Sequence, residues 1–135
     1  MESWIIFAVL SLLAYGLWGF FPKLTVGLIN SKEFIVYEAI GVILISLVIL
    51  LFLGKPSFNI RGVTFAMLTG ILGIIGTLFF VAALAKGKAS VIITITALYP
   101  VIVIFLAAVF LKEPITLKQG IGIVFALIAL VLFSI

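Results

Sequence analysis

The chain has 135 residues, 67% of them hydrophobic and only 9% charged, with a mean hydropathy of +1.61 and a formal net charge of +4. A soluble domain of this size must expose much of its surface to water, and it could not cover that surface with so few polar side chains. Cys, His and Asp are absent, which removes disulfide frameworks, His-based triads and most metal-ligand sets. The positive charge is read as membrane-flanking anchors rather than as a nucleic-acid surface.

An apolar run of about 18 residues or more spans the roughly 30 Å hydrocarbon core as a helix. Lys32, Lys55/Arg61, Lys86/Lys88 and Lys112/Lys118 divide the chain into five such runs. The expected fold is therefore all-α: a single polytopic membrane domain over 1–135, with helices at about 4–29, 33–53, 63–84, 89–111 and 117–134. The N-terminus lacks the basic lead-in of a secretory signal, and its apolar run outlasts a signal h-region. The first helix is expected to be retained as a signal anchor.

Helix one carries Tyr15, Trp18 and Pro22, which share a face by their spacing of three and four. Trp18 lies deeper than an interfacial aromatic such as Trp4, so it is read either as core packing or as a surface that stacks on a cationic or aromatic ligand. Lys23 follows near the end of this helix. Asn30-Ser31-Lys32 forms a polar turn that caps helix two. Glu38 stands one to two turns into helix two, at a depth matching Lys23 on the antiparallel neighbour, both roughly 8–9 Å from the turn. Charges in hydrocarbon are costly and are usually paired or functional. The pair is expected to neutralise itself, and Glu38 is the candidate proton-coupling residue.

Gly54-Lys55-Pro56-Ser57 stops helix two. Helix three carries Gly70, Gly73 and Thr77 within a run of small residues, the pattern that lets membrane helices approach closely. These three are the expected packing positions. Phe79, Phe80 and Tyr99 are the residues that complete an aromatic wall with Trp18. Ser90 is read as a start signal for helix four. Pro100 sits in mid-helix, where it withdraws a donor from the carbonyl of Thr96 and kinks the helix. Thr94 and Thr96 stand in the preceding turn, placed to satisfy freed groups or to face a polar cavity. Lys112-Glu113-Pro114 ends that helix, and Thr116 caps the fifth.

The substrate-cavity candidates are accordingly Tyr15, Trp18, Lys23, Glu38, Phe79, Thr94, Tyr99 and Pro100. No catalytic residue, metal or cofactor is expected, because Glu2, Glu33, Glu38 and Glu113 are the only acids and none forms an evident pair within the membrane.

Five helices place the two termini on opposite sides of the membrane. Lys/Arg excess normally marks the cytoplasmic side. Lys55, Arg61, Lys112 and Lys118 stand on one side, against Lys23, Lys32, Lys86 and Lys88 on the other. Two expectations follow with equal weight: insertion in both orientations with antiparallel self-pairing, or a single orientation set by the first helix or the insertion machinery.

The order Ala83-Leu84-Ala85-Lys86-Gly87-Lys88-Ala89-Ser90, then Pro100, then Lys112-Glu113-Pro114 and Gln119-Gly120 resembles the EamA domain, the repeat unit of the drug/metabolite transporter superfamily. Trp18-Gly19 followed by Lys23 looks like that family's first-helix signature. The resemblance covers nearly the whole chain and is strongest over 83–122. It implies a central substrate cavity among the first four helices. It further implies that this single repeat is half of the ten-helix inverted-repeat unit most members carry.

On that basis the expected function is secondary transport of small organic metabolites or amphiphilic compounds, by alternating access in an antiparallel homodimer or with an oppositely oriented partner. The alternatives are a lipid or lipid-linked sugar flippase subunit, or a non-transporting membrane subunit that needs a heteromeric partner. Expected contacts are membrane lipids and a small-molecule substrate, in the cell membrane of a prokaryote. Glu38 departs from the family pattern, which often has a basic residue at the start of helix two. The four-helix multidrug exporters place their essential glutamate in helix one, where this chain has none.

Overall fold

A computed structural model describes residues 3–54 and 56–134. Glu2 and Lys55, both used in the sequence reading, lie outside the described residues. The chain is all-helical: α1 (Ser3–Leu24), α2 (Ser31–Leu53), α3 (Ile60–Leu84), α4 (Ala89–Thr96), α5 (Tyr99–Leu106), a π-helical turn (Ala107–Leu111) and α6 (Leu117–Ser134). The first three have 22, 23 and 25 residues, or about 33–38 Å at 1.5 Å per residue, enough to cross a bilayer. Ala89–Leu111 is a fourth apolar stretch of that length, 23 residues, and Leu117–Leu132 is shorter. This is the construction of an integral, multi-pass membrane protein.

The chain divides into two compact units, residues 1–86 and 87–135. In the first, α3 packs on both α1 and α2. Among the described residues the buried apolar side chains are Phe80, Val81 and Leu84, all on the last turns of α3, joined by Gly19 and Pro22 of α1. No side chain of α2 is buried within the chain. In lipid that costs nothing, because hydrocarbon tails are as apolar as leucine and drive no burial. In the second unit α6 packs against α4.

The helix ends follow local chemistry. The Asn30 side chain accepts from the Lys32 and Glu33 amides at 3.0 Å each, and Glu33 Oε2 returns a bond to the Asn30 amide at 2.9 Å. This capping box satisfies two orphan donors at the start of α2. Thr116 and Gln119 make the same reciprocal arrangement at α6. The Thr116 amide donates to Gln119 Oε1 at 2.8 Å, and the Gln119 amide donates to Thr116 Oγ1 at 3.3 Å.

Four boundaries differ from the sequence expectation. Helix α1 stops at Leu24 rather than near residue 29, because Thr25 turns the chain. Its hydroxyl and amide both donate to the Pro22 carbonyl, at 2.8 and 3.2 Å, and Gly27 adopts φ +86. Helix α3 begins at Ile60, since Asn59 Oδ1 accepts from the Gly62 amide at 3.1 Å. Ser90 does not cap helix four: the N-cap is Lys88, without a side-chain bond, and the Ser90 carbonyl accepts from Thr94 instead.

The fourth boundary concerns Pro100, which interrupts the fourth stretch outright. Helix α4 closes at Thr96, where the Leu98 amide bonds only three residues back, to Ile95. Pro100 then occupies the first turn of α5, where its missing N–H is no loss.

Candidate functional site

The turn over Thr25–Ile29 moves the register between α1 and α2. Trp18 stands six residues before Leu24, and Glu38 stands seven after Ser31. Both therefore lie roughly 9–10 Å from their helix ends, level with one another. The Trp18 indole Nε1–H donates to Glu38 Oε1 at 2.9 Å. The indole also lies on the Phe80 ring of α3, with centroids 5.6 Å apart and planes 12° from parallel. One tryptophan thus ties three helices together. The stack contributes about 0.5–1.5 kcal/mol beyond burial.

Glu38 is half-buried. Its second oxygen, Oε2, is shielded and has no hydrogen-bond partner. A carboxylate oxygen left in this condition lacks the donor that normally compensates for its desolvation. Trp18 remains 44% exposed although its stacking partner Phe80 is only 8% exposed.

Lys23 occupies a different place from the one expected. Its ammonium donates to the Leu84 carbonyl at 2.8 Å, at the last residue of α3 and at a side chain that is 0% exposed. Carbonyls of a helix's final turn have no partner further along the helix, and a cation is favoured there by the dipole. Each of the two charges thus has a partner other than its expected mate: Glu38 the Trp18 indole, Lys23 the end of α3. The expected match in depth rested on an α1 that ran to residue 29. With the helix ending at Leu24, Lys23 drops to the helix end and Trp18 takes its level.

The other candidate positions divide between the first unit and the second. Phe80, rather than Phe79, supplies the aromatic partner; Phe79 is 70% exposed, as one residue along a helix turns the side chain by about 100°. Tyr15 shares the face of Trp18 and is exposed. Thr77 is buried, and its hydroxyl donates to the Gly73 carbonyl at 3.0 Å. A Cβ added at Gly70, Gly73 or Gly76 would meet nothing within 4 Å. Within the chain the close packing of this stripe therefore falls at Thr77, while its glycines present open space.

Thr94, Tyr99 and Pro100 belong to the second unit. There Thr94 Oγ1 donates to the Ser90 carbonyl at 2.7 Å, and Thr96 Oγ1 to those of Ile92 and Ile93, both at 3.0 Å. The threonine hydroxyls are thus spent on carbonyls of the turn before them. The Pro100 break is met by the tight turn at Ala97–Leu98 instead. Two shallow grooves in the same unit, one along α6 (Val124, Leu127, Ile128, Val131, Leu132) and one along α5 and the π turn (Val103, Leu106, Ala107, Phe110, Leu111), are lined by apolar side chains only. Neither carries a group that would orient a polar solute.

The Trp18–Glu38 bond was the contact that sequence reasoning missed. Its signal was present in the turn-forming Thr25 and Gly27, which shorten α1 and bring the two residues level.

Over residues 2–135 the sequence matches the EamA-like transporter family. A Methanocaldococcus jannaschii protein, described only as uncharacterized, is 34% identical over 135 residues, which is 100% of this chain and 98% of that protein. No solved structure matches the chain.

Proposed function

The chain belongs to the EamA-like transporter family, a family of membrane transporters, and from that premise we propose that it moves small organic metabolites or amphiphilic compounds across the cell membrane of a prokaryote. The observation that carries this reading is an acid held inside the membrane by a single indole N–H, with its other oxygen unbonded. Ionisable groups at such depth mark substrate and ion pathways in membrane proteins. Glu38 is the group that exchanges a proton for substrate.

The working unit is two copies, one inverted relative to the other. Three features support this. The family match covers residues 2–135, consistent with one repeat. By the sequence pattern Lys and Arg divide four against four between the two sides, or four against three when Lys23 is not counted as flanking. The α3 glycines offer a smooth open face, the surface on which membrane helices pack most closely. Access would alternate by one copy rocking against the other about a shared central site.

The test is transport by the purified chain in liposomes. Solute-driven currents are recorded across a panel of small organic compounds under an imposed pH gradient. A current that depends on the gradient is expected for at least one compound, and Glu38→Gln is expected to abolish it while the protein stays folded and monodisperse. Undiminished gradient-driven current in that variant removes Glu38 from coupling. If monodisperse protein carries no current for any compound, the transporter reading fails in favour of a membrane subunit that needs a different partner.

A further inference from the structure

The Glu38 carboxylate is only half satisfied. Oε1 accepts the Trp18 indole N–H at 2.9 Å, and Oε2 is shielded without any hydrogen bond. Its donor is an indole stacked on Phe80, on a residue that remains 44% exposed. An anionic acceptor short of donors, next to a partly exposed aromatic residue, matches one ligand chemistry: a cation that brings its own N–H groups and a short apolar body. A quaternary ammonium would satisfy the aromatic face and the charge, but it has no hydrogen to give the carboxylate.

We infer that Glu38 and Trp18 form a recognition site for protonated amines bearing N–H, with the Trp18 indole N–H serving as a placeholder donor that the ligand displaces. The terminal torsion of a glutamate is broad and nearly two-fold, so the carboxylate can turn either oxygen toward an incoming ammonium once the indole leaves. Displacement also undoes the link that Trp18 makes between α1, α2 and α3. Occupancy is thereby coupled to a loosening of those helices, as alternating access requires. The inference rests on the transporter reading only in placing Glu38 on the substrate path.

Its test is a binding measurement, so the two can fail separately. The purified full chain in phosphatidylcholine nanodiscs is titrated calorimetrically at neutral pH with 2-phenylethylammonium and with its N,N,N-trimethyl analogue, against protein-free nanodiscs. The primary ammonium should bind about tenfold more tightly or better, the worth of a hydrogen bond to a charged acceptor. Glu38→Gln should erase most of that preference. Trp18→Phe keeps an aromatic ring on Phe80 but removes the competing donor, and should raise primary-ammonium affinity about two- to tenfold.

Equal affinity for the two probes, a preference that persists in Glu38→Gln, or weaker primary-ammonium binding by folded Trp18→Phe would each overturn the inference. Repeating the titration with phosphatidylethanolamine in the nanodiscs identifies the source of the ammonium. Competition by that lipid assigns the site to a headgroup, and unchanged affinity assigns it to a soluble amine; either result supports the chemistry. A preference found in protein that shows no transport would leave the site standing and remove only the transport reading.

Discussion

Replacing Lys23 with methionine should destabilise the first unit without touching the Trp18–Glu38 cluster. The ammonium lies 2.8 Å from the Leu84 carbonyl, at the end of α3 and at a residue that is 0% exposed. Methionine keeps the apolar stem and removes the donor, leaving a helix-terminal carbonyl in a medium with no water to replace it. A hydrogen bond from a charged donor is worth about 1.5–3 kcal/mol, and the favourable dipole position adds about 0.3–1 kcal/mol. The sum is about 2–4 kcal/mol, or roughly 30- to 900-fold in the folding equilibrium. SDS titration of the purified protein in mixed micelles, followed by helical circular dichroism, reads this as a lower unfolding midpoint. The alternative is a cavity lysine that contacts substrate, which would leave the midpoint in place and change ligand affinity. An unchanged midpoint for Lys23→Met, with or without altered binding, refutes the capping assignment.

Gly27, in the turn after α1, and Gly16, within α1, offer a matched pair of glycine tests in the same assay. Gly27 has φ +86, a conformation costing an L-residue about 1–2 kcal/mol, so Gly27→Ala should lower the midpoint by that amount although the added Cβ meets nothing within 4 Å. Gly16 is helical with equally open surroundings, so Gly16→Ala should raise the midpoint by about 0.5–1 kcal/mol. Asn30→Ala removes one half of the α2 capping box and should cost about 1 kcal/mol. Cysteines introduced singly at Ser57 and Ser90, in a chain with none of its own, should both react with an impermeant thiol reagent applied to one side of intact cells. Reaction at only one of them would rule out dual insertion.

The membrane-spanning runs were legible because lipid imposes a simple rule: every backbone group must be bonded within the segment, so long apolar runs become helices. The caps at Asn30 and Thr116 were legible for a related reason, since their side chains act within three residues. Legibility failed where an apolar segment leaves the helix. Thr25-Val26-Gly27-Leu28-Ile29 reads as helix by hydropathy, yet the Thr25 bonds to Pro22 and the positive φ of Gly27 end α1 at Leu24. Composition cannot register such a turn, because it is made by backbone geometry rather than by polarity.

That error of five residues carried directly into the chemistry. It set Lys23 opposite Glu38, when the shorter helix sets Trp18 there and carries Lys23 to the end of α3. The end of α1 around Trp18 and Lys23 and the end of α3 around Phe80 and Leu84 therefore meet as a structural joint. Glu38 instead takes up the indole N–H of Trp18, one level deeper in α1.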